Sequence, residues 1–595
     1  MKERKFNVLG KALFFIGVLL FLGGYNYDFL YQVGWKNYFL FNPIYAKMTI
    51  TQSGGLLFYI SRFLNLVFQY PLLAALFIAA LLLGIVYLHE YLFDKKRSGL
   101  SYLPSLLLTL VVGCGGFAIY AKFEIGTFFA LILGIIWCLI SYLLYEKLLK
   151  RKNMAYVMLI VQLVLLPVFG LFSMVPIVMI AIEEYLEKKK SLILLCYLLL
   201  PLGIAVGEIY VVSHYFYGES FVYALRMPLP DPYFTRMFVC SLCLIGCLML
   251  SPLMKKIELP VLDTFHQKIP FHSLLLLLCS FVLIYFISFH ETNYRSLIKL
   301  SRLCDEMKWR EIVDQCKDIT HPTKGINAYR VIAQGNLGKE CEKLFDVNMP
   351  LSPCSSPYKI EEIVYEADLT FYASFLAASY QQNMDNWVIY GESFRYLKNM
   401  TFISLLRGDD DLAARYIYLM RQTSFLDDLA DEYATYLNNK ELLYKKYPVC
   451  KKIKKNEVLQ DLPQNIFANL AEYYLAYNRF DNDNLKRCML AKLFIKDIKG
   501  ALTGYLTYVK DKKDLYQYMS EAAVLYAAQT NDDSYVKALQ VNNNVVNKVI
   551  SCLREYHLLQ QSGKTTNTTE LCRKYKGSYV LFYIMDTHKF QTIKE

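Results

Sequence analysis

Residues 154–186 read MAYVMLIVQLVLLPVFGLFSMVPIVMIAIEEYL, an apolar run broken by Pro167, Gly170 and Pro176. A bilayer core is crossed by about 20 helical residues. This run is too long for one crossing, and its proline and glycine positions predict two short helices meeting at a tight hairpin. The alternative is one long broken helix. The choice matters because it reverses the sidedness of everything that follows.

Working outward, further apolar runs lie near 8–27, 71–93, 102–121, 126–146, 191–212, 236–254 and 272–289. With the hairpin counted twice the chain has nine expected spans. If the N-terminus is cytoplasmic, the inside segments hold 17 Lys and Arg and the outside loops hold 6. That distribution obeys the positive-inside rule. The single-helix version places the Lys255–Lys256 loop outside and breaks it. An odd number of spans leaves residues 291–595 on the extracytoplasmic, periplasmic side of the cell membrane. The start of the chain, with Lys2, Arg4 and Lys5 before the apolar stretch Ala12–Leu22, ends in Gly23-Gly24-Tyr25-Asn26-Tyr27 without a small-x-small site. It reads as an uncleaved signal anchor.

Composition agrees with a lipid partner. Of the 595 residues, 55% are hydrophobic and 19% charged, with mean hydropathy +0.27. Soluble proteins carry about 25% charged residues. The net charge of +12 divides as +9 over residues 1–290 and +3 over 291–595. The excess cations therefore sit in short loops between apolar runs, and no basic stripe with exposed aromatics follows. Nucleic-acid binding is excluded on that ground. The fifteen cysteines show no zinc spacing. Cys240, Cys243 and Cys247 share a helical face inside an apolar run and read as small packing residues. No metal or cofactor is expected.

The first outer loop is rich in rings: Tyr25, Tyr27, Phe29, Tyr31, Trp35, Tyr38 and Phe39. Residues 56–69, LLFYISRFLNLVFQ, are apolar but carry Arg62, Asn65 and Gln69, as in a helix lying along the membrane surface. After residue 290 the texture becomes amphipathic helix with polar joints, and strand signals are almost absent. At Leu405-Leu406-Arg407-Gly408-Asp409-Asp410-Asp411-Leu412-Ala413 one helix stops at a glycine and the next begins on a run of aspartates. Weaker echoes fall at 304–316, 471–477 and 522–528. The fold class is all-α: a polytopic bundle over 1–290, then an α-solenoid-like, tetratricopeptide-like domain over 291–595. Expressed alone, residues 291–595 should be soluble and helical.

Three sets of residues carry a resemblance: Ser53-Gly54-Gly55-Leu56 with Tyr59, Phe63-Leu64 and Tyr70-Pro71; the 405–416 joint; and Lys574-Tyr575-Lys576-Gly577-Ser578-Tyr579. Together they resemble a bacterial family of unknown function, multi-pass membrane proteins with a tetratricopeptide-like C-terminal domain. The resemblance spans nearly the whole chain and implies no established activity. Its members often carry an acid with glutamines just after the first span. Here Leu30-Tyr31-Gln32-Val33-Gly34 has the glutamine and lacks the acid, so no role for such an acid carries over.

Motifs of soluble enzymes are missing: no P-loop, GxGxxG, HExxH or GxSxG. Ionisable residues at membrane depth are the better lead, since each is costly unless paired or used. Glu208 lies within the 191–212 run, six residues before His214, and the outer loop continues through Glu219, Arg226 and Asp231. Asp28 follows the first span on the same side. His89, Glu90, Glu183 and Glu184 fall at cytoplasmic ends, where snorkelling or a solvated helix end explains them.

Two functions follow. The first is a membrane-anchored protein whose solenoid binds an extracytoplasmic protein or peptide. The second is a polyprenyl-phosphate-dependent glycosyltransferase-like enzyme of extracytoplasmic glycan assembly. In it Asp28 acts as base, Glu208 and Asp231 are further acidic candidates, and Arg62, Arg226 or His214 faces the lipid phosphate. A transporter reading has only the hairpin and Glu208 in its favour.

Overall fold

The computed structural model describes residues 2–51, 54–93, 100–114, 127–149, 155–187, 192–212, 235–255, 272–288, 292–319, 322–337, 360–457, 482–494, 496–509, 515–561 and 568–585, with isolated residues between them. Every regular element among these is helical. The chain forms two compact units. One gathers residues 1–290, 385–402 and 411–435, and the other residues 291–384, 403–410 and 436–595.

The first unit opens with α1 (Lys2–Leu20), which runs on through a wider turn at Phe21–Tyr25. Three short helices follow: α2 (Tyr27–Lys36), α3 (Pro43–Ile50) and α4 (Gly55–Leu64). Then come α5 (Pro71–Phe93), α6 (Leu103–Cys114), α7 (Thr127–Leu144), α8 (Ala155–Val164), α9 (Leu171–Glu187), α10 (Leu192–Val212), α11 (Thr235–Leu250) and α12 (His272–Ile287). Among the described residues four helical stretches are long and apolar enough to cross a membrane: Val8–Tyr25, Pro71–Phe93, Phe129–Lys147 and Arg236–Met254. Shorter apolar helices cover Gly55–Gln69, Leu100–Cys114, Leu202–Val211 and Leu277–Ile287.

The 154–186 run is two helices. α8 ends before a short turn at Leu166–Phe169, and Gly170 adopts φ 52 and ψ −132, a conformation a Cβ would forbid. α8 and α9 pack together and against α7. The Trp137 ring stacks on Phe169 at 4.3 Å, and its Nε1 donates to Gln162 Oε1 at 3.2 Å. Gly134 makes room for the Phe172 ring, which would stand 2.1 Å from any Cβ there. Gly170→Ala is expected to cost about 1–3 kcal/mol through backbone strain. A lowered thermal midpoint of the full chain in detergent would show it, with Gly84→Ala, where a Cβ meets only open space, left unshifted.

Two expectations about the cytoplasmic helix ends are corrected. His89 is wholly buried, with Nε2 and Ser251 Oγ 3.0 Å apart, rather than snorkelling to the surface. Its neighbour Glu90 pairs with Lys11 at 2.5 Å. Glu183 and Glu184 are buried as well, not a solvated end. Tyr145 on the turn after α7 donates to Glu184 Oε1 at 2.5 Å, so a partner inside the bundle offsets the desolvation of that carboxylate.

In the second half, α13 (Phe394–Arg407) stops at Gly408, whose φ is +90, and the Asp409 amide caps back onto the Ser404 carbonyl at 2.9 Å. α14 (Asp410–Met420) and α15 (Asp427–Thr435) follow. This is the helix stop and restart read from Gly408 and its aspartates. The second unit packs α16 (Asn482–Phe494), α17 (Ile498–Tyr508), α18 (Tyr516–Thr530), α19 (Asn543–Gln561) and α20 (Tyr579–Met585) around one core. Met489, Leu502, Tyr505, Met519, Ala522 and Tyr579 lie at its centre.

Candidate functional site

The α2 sequence Tyr27-Asp28-Phe29-Leu30-Tyr31-Gln32-Val33-Gly34-Trp35-Lys36 places Asp28, Gln32 and Lys36 at i, i+4 and i+8, on one helical face. Gly34, on another face, lets α2 close on the backbone at Phe68, where a Cβ would stand 2.8 Å from the carbonyl oxygen. Beyond Lys36 the backbone turns extended, and its polar groups are taken up by residues 385–402 and 411–435 of the same unit. The Phe394 amide donates to the Asn37 carbonyl at 2.9 Å, and Ser393 Oγ donates to the Trp35 carbonyl at 2.9 Å. Further on, the Phe41 amide donates to the Gln422 carbonyl at 2.7 Å, and Asn42 Nδ2 donates to Gln422 Oε1 at 2.9 Å. Rings fill the remaining space. Trp35 meets Phe425 edge-on at 5.3 Å, Phe394 stacks on Phe425 at 4.7 Å, and Tyr38 meets Trp387 at 5.3 Å. Such ring pairs add to the area they bury. An isolated 291–595 fragment would leave the Phe425 ring without Trp35 and the Phe394 ring without Tyr38.

Within this dry contact sit two cations. Lys36 is 4% exposed, Arg395 8% and Gln32 1%. The Lys36 ammonium donates to Tyr396 Oη at 3.1 Å and lies 4.5 Å from the centre of the Tyr396 ring. Arg395 donates to Gln32 Oε1 at 3.2 Å. Burial, and then the Arg395 guanidinium, push the Lys36 pKa down to about 7, with Glu392 acting in the opposite direction. Glu392 itself is exposed. The arrangement is rich in donors. Among the described residues no group of His, Cys, Asp and Glu could hold a metal ion.

The family assignment rests on a match over nearly the entire length. Residues 4–586 match the family of unknown function DUF6057. The chain belongs to it. No curated protein and no solved structure matches this DUF6057 chain.

The residues singled out in the sequence are scattered in the DUF6057 structure. Asp28 stands in the first turn of α2, half-buried, on the face that carries Gln32 and Lys36. Arg62 belongs to the same outer loop, but its guanidinium donates to Tyr45 Oη at 3.0 Å, and its carbonyl accepts from Asn37 Nδ2 at 3.0 Å. Glu208 is half-buried on α10, beside Ala205 and Ile209, which pack on Leu166 and Met174. His214 stacks on Tyr210 at 6.2 Å. Arg226 and Asp231 lie outside the described residues. Gln32, Lys36, Arg395 and Tyr396 were not singled out, although the i, i+4 spacing of Asp28, Gln32 and Lys36 was legible. Cys316, Cys450 and Cys552 are free thiols. In the second unit burial pushes the thiols of Cys316, Cys450 and Cys552 up to about 12, which makes them poor nucleophiles.

Proposed function

We propose that the protein is a multi-pass membrane protein that carries its C-terminal helices on the extracytoplasmic side, as an irregular tetratricopeptide-like array that binds a protein or peptide. The observation that carries this reading is the anchoring of residues 385–402 and 411–435 on α2 and the extended stretch after it. A loop that directly follows the first apolar helix holds helices from within the C-terminal array through main-chain bonds and stacked rings. Exposed apolar side chains on the same loop support a position against lipid: Phe41 is 56% exposed, Ile44 72% and Met48 67%. The nine-span topology is supported by the four long apolar helices, the shorter ones at Leu100–Cys114, Leu202–Val211 and Leu277–Ile287, and the two helices of the 154–186 hairpin. Should the short arms of that hairpin enter and leave on one side, the sidedness of the later segments is unchanged.

The test is photo-crosslinking in living cells from positions such as Tyr418 and Leu558, which are 65% and 58% exposed. Discrete, light-dependent adducts with extracytoplasmic proteins are expected. Adducts confined to cytoplasmic proteins, or none from either helix, contradict the reading.

A second reading, the lipid-phosphate-dependent transferase, is favoured by one observation: Asp28 shares a face of α2 with Gln32 and Lys36. Asp28→Asn keeps the shape and removes the charge. A transferase then loses extracytoplasmic glycan by 100-fold or so, the scale of a general base. Wild-type glycan levels with this variant and with Glu208→Gln would leave only the first reading.

A further inference from the structure

We propose that the groove on the flank of α17 beside α16 binds an extended peptide that carries a carboxylate and, about two to four residues on, a large apolar side chain. The inference rests on the partner-binding reading and gives it a place in the second unit.

The α17 sequence, Ile498-Lys499-Gly500-Ala501-Leu502-Thr503-Gly504-Tyr505-Leu506-Thr507-Tyr508, buries Ile498, Ala501, Leu502 and Tyr505 in the core. Gly500 and Gly504, at i and i+4, leave one flank of the helix bare of side chains of its own. What lies over them comes from elsewhere. The Asp497 carboxylate stands 2.1 Å from where a Gly500 Cβ would be, and the end of Met489 stands 2.6 Å from one at Gly504. The flank opens into a groove of about 390 Å³, lined by Met489, Lys492, Asp497, Lys499, Thr503 and Tyr508 as well as the two glycines. Sites that hold ligands enclose about 300–1,000 Å³. In the first unit, by contrast, the space between Ile78, Leu82, Leu131 and Met237 is about 10 Å³, too small for a ligand.

The two ends of the groove differ in chemistry. At one end Lys492 and Asp497 pair at 2.7 Å, and the other Asp497 oxygen accepts from the Gly500 amide at 2.9 Å. That carboxylate is therefore answered inside the site. Lys499 is exposed beside it, and Asp532, whose charge reaches Lys499, has an oxygen taken by the Ser534 amide at 2.9 Å. Lys492 and Lys499 against Asp497 leave the lining with a net positive charge, which complements a carboxylate. At the other end stand the Tyr508 ring, 46% exposed, and the Met489 thioether, which adapts to apolar side chains of varied shape. Gly504 and Tyr508 lie about 7 and 13 Å along α17 from Lys499, distances that about two to four extended residues cover. The groove is open along its length, as a chain running across it requires, whereas a small molecule is held by burying most of its surface.

The test pans the full chain in phosphatidylcholine nanodiscs against a randomised peptide library and titrates the selected peptides by fluorescence polarisation. Peptides with an acid close before or after a large apolar residue are expected. Lys499→Glu should weaken them about tenfold, the scale of one anchoring contact. The same peptides remade with lysine in place of the acid should prefer Lys499→Glu to the wild type. Tyr508→Ala should weaken binding by a similar factor, and Lys317→Glu, at an exposed lysine outside the groove, should not. Selected peptides without an acid, no selected peptide, or wild-type affinity in Lys499→Glu overturns the proposal. Light-dependent adducts from Tyr418 or Leu558 would in that event keep the partner-binding reading and remove only this groove, and their absence would remove both.

Discussion

Glu521→Ala is expected to destabilise the second unit by about 1–3 kcal/mol, the cost of leaving buried main-chain donors without their acceptor. Glu521 is 1% exposed on α18. One carboxylate oxygen pairs with Lys548 of α19 at 2.9 Å. The other accepts from the Tyr579 amide at 2.6 Å and the Val580 amide at 3.4 Å, satisfying donors at the start of α20 that no helical carbonyl can reach. A single side chain thus ties three helices of one core. Glu521→Gln, which keeps an acceptor for α20 and loses the charge facing Lys548, should fall between alanine and wild type. Thermal unfolding of the full chain, followed by proteolysis within 436–595, gives the order. Equal midpoints for all three proteins would remove Glu521 from the account.

Lys36→Met is expected to raise stability at pH 6 and to lose that advantage as the pH approaches 10. The Lys36 pKa falls from 10.5 in the unfolded chain to about 7 in the folded one. The unfolded state therefore binds more protons between these values, and wild-type stability rises with pH across that window. Below about 7 the protonated, buried ammonium carries the full penalty, up to about 5 kcal/mol for a shift of this size. Methionine removes the charge and keeps the length of the chain among the rings of Tyr390 and Tyr396. Midpoints at pH 6, 8 and 10 in neutral detergent and chloride buffer should converge from below. Parallel wild-type and variant curves would mean that Lys36 holds no buried charge.

The helical class was legible because apolar runs and amphipathic periods in this chain are long, and the break at Gly170 and the stop at Gly408 were legible because each needs a residue without a Cβ. Family membership was legible too, from short motifs spread along the chain. The candidate site was only half legible. Asp28, Gln32 and Lys36 stand four residues apart, a spacing any reader of helices can see. Arg395 and Tyr396 come from 359 and 360 positions beyond Lys36, and nothing local announces that they close over it. The buried acids failed for a related reason. Glu183 and Glu184 precede three lysines, which in sequence looks like a solvated helix end. Their burial depends on Tyr142 and Tyr145 from another helix, and a hydropathy pattern carries no record of such partners.

The partner-binding reading and the placing of α2 beside the outer leaflet both require the C-terminal helices to lie outside the cytoplasm, and that sidedness is the central claim. It can be measured with paired reporters fused after Glu595, alkaline phosphatase and green fluorescent protein, in a bacterial host. The account predicts strong phosphatase activity and a dark fluorescent fusion, because phosphatase matures only outside the cytoplasm. A bright fluorescent fusion with inactive phosphatase would place the C-terminal helices in the cytoplasm and contradict it.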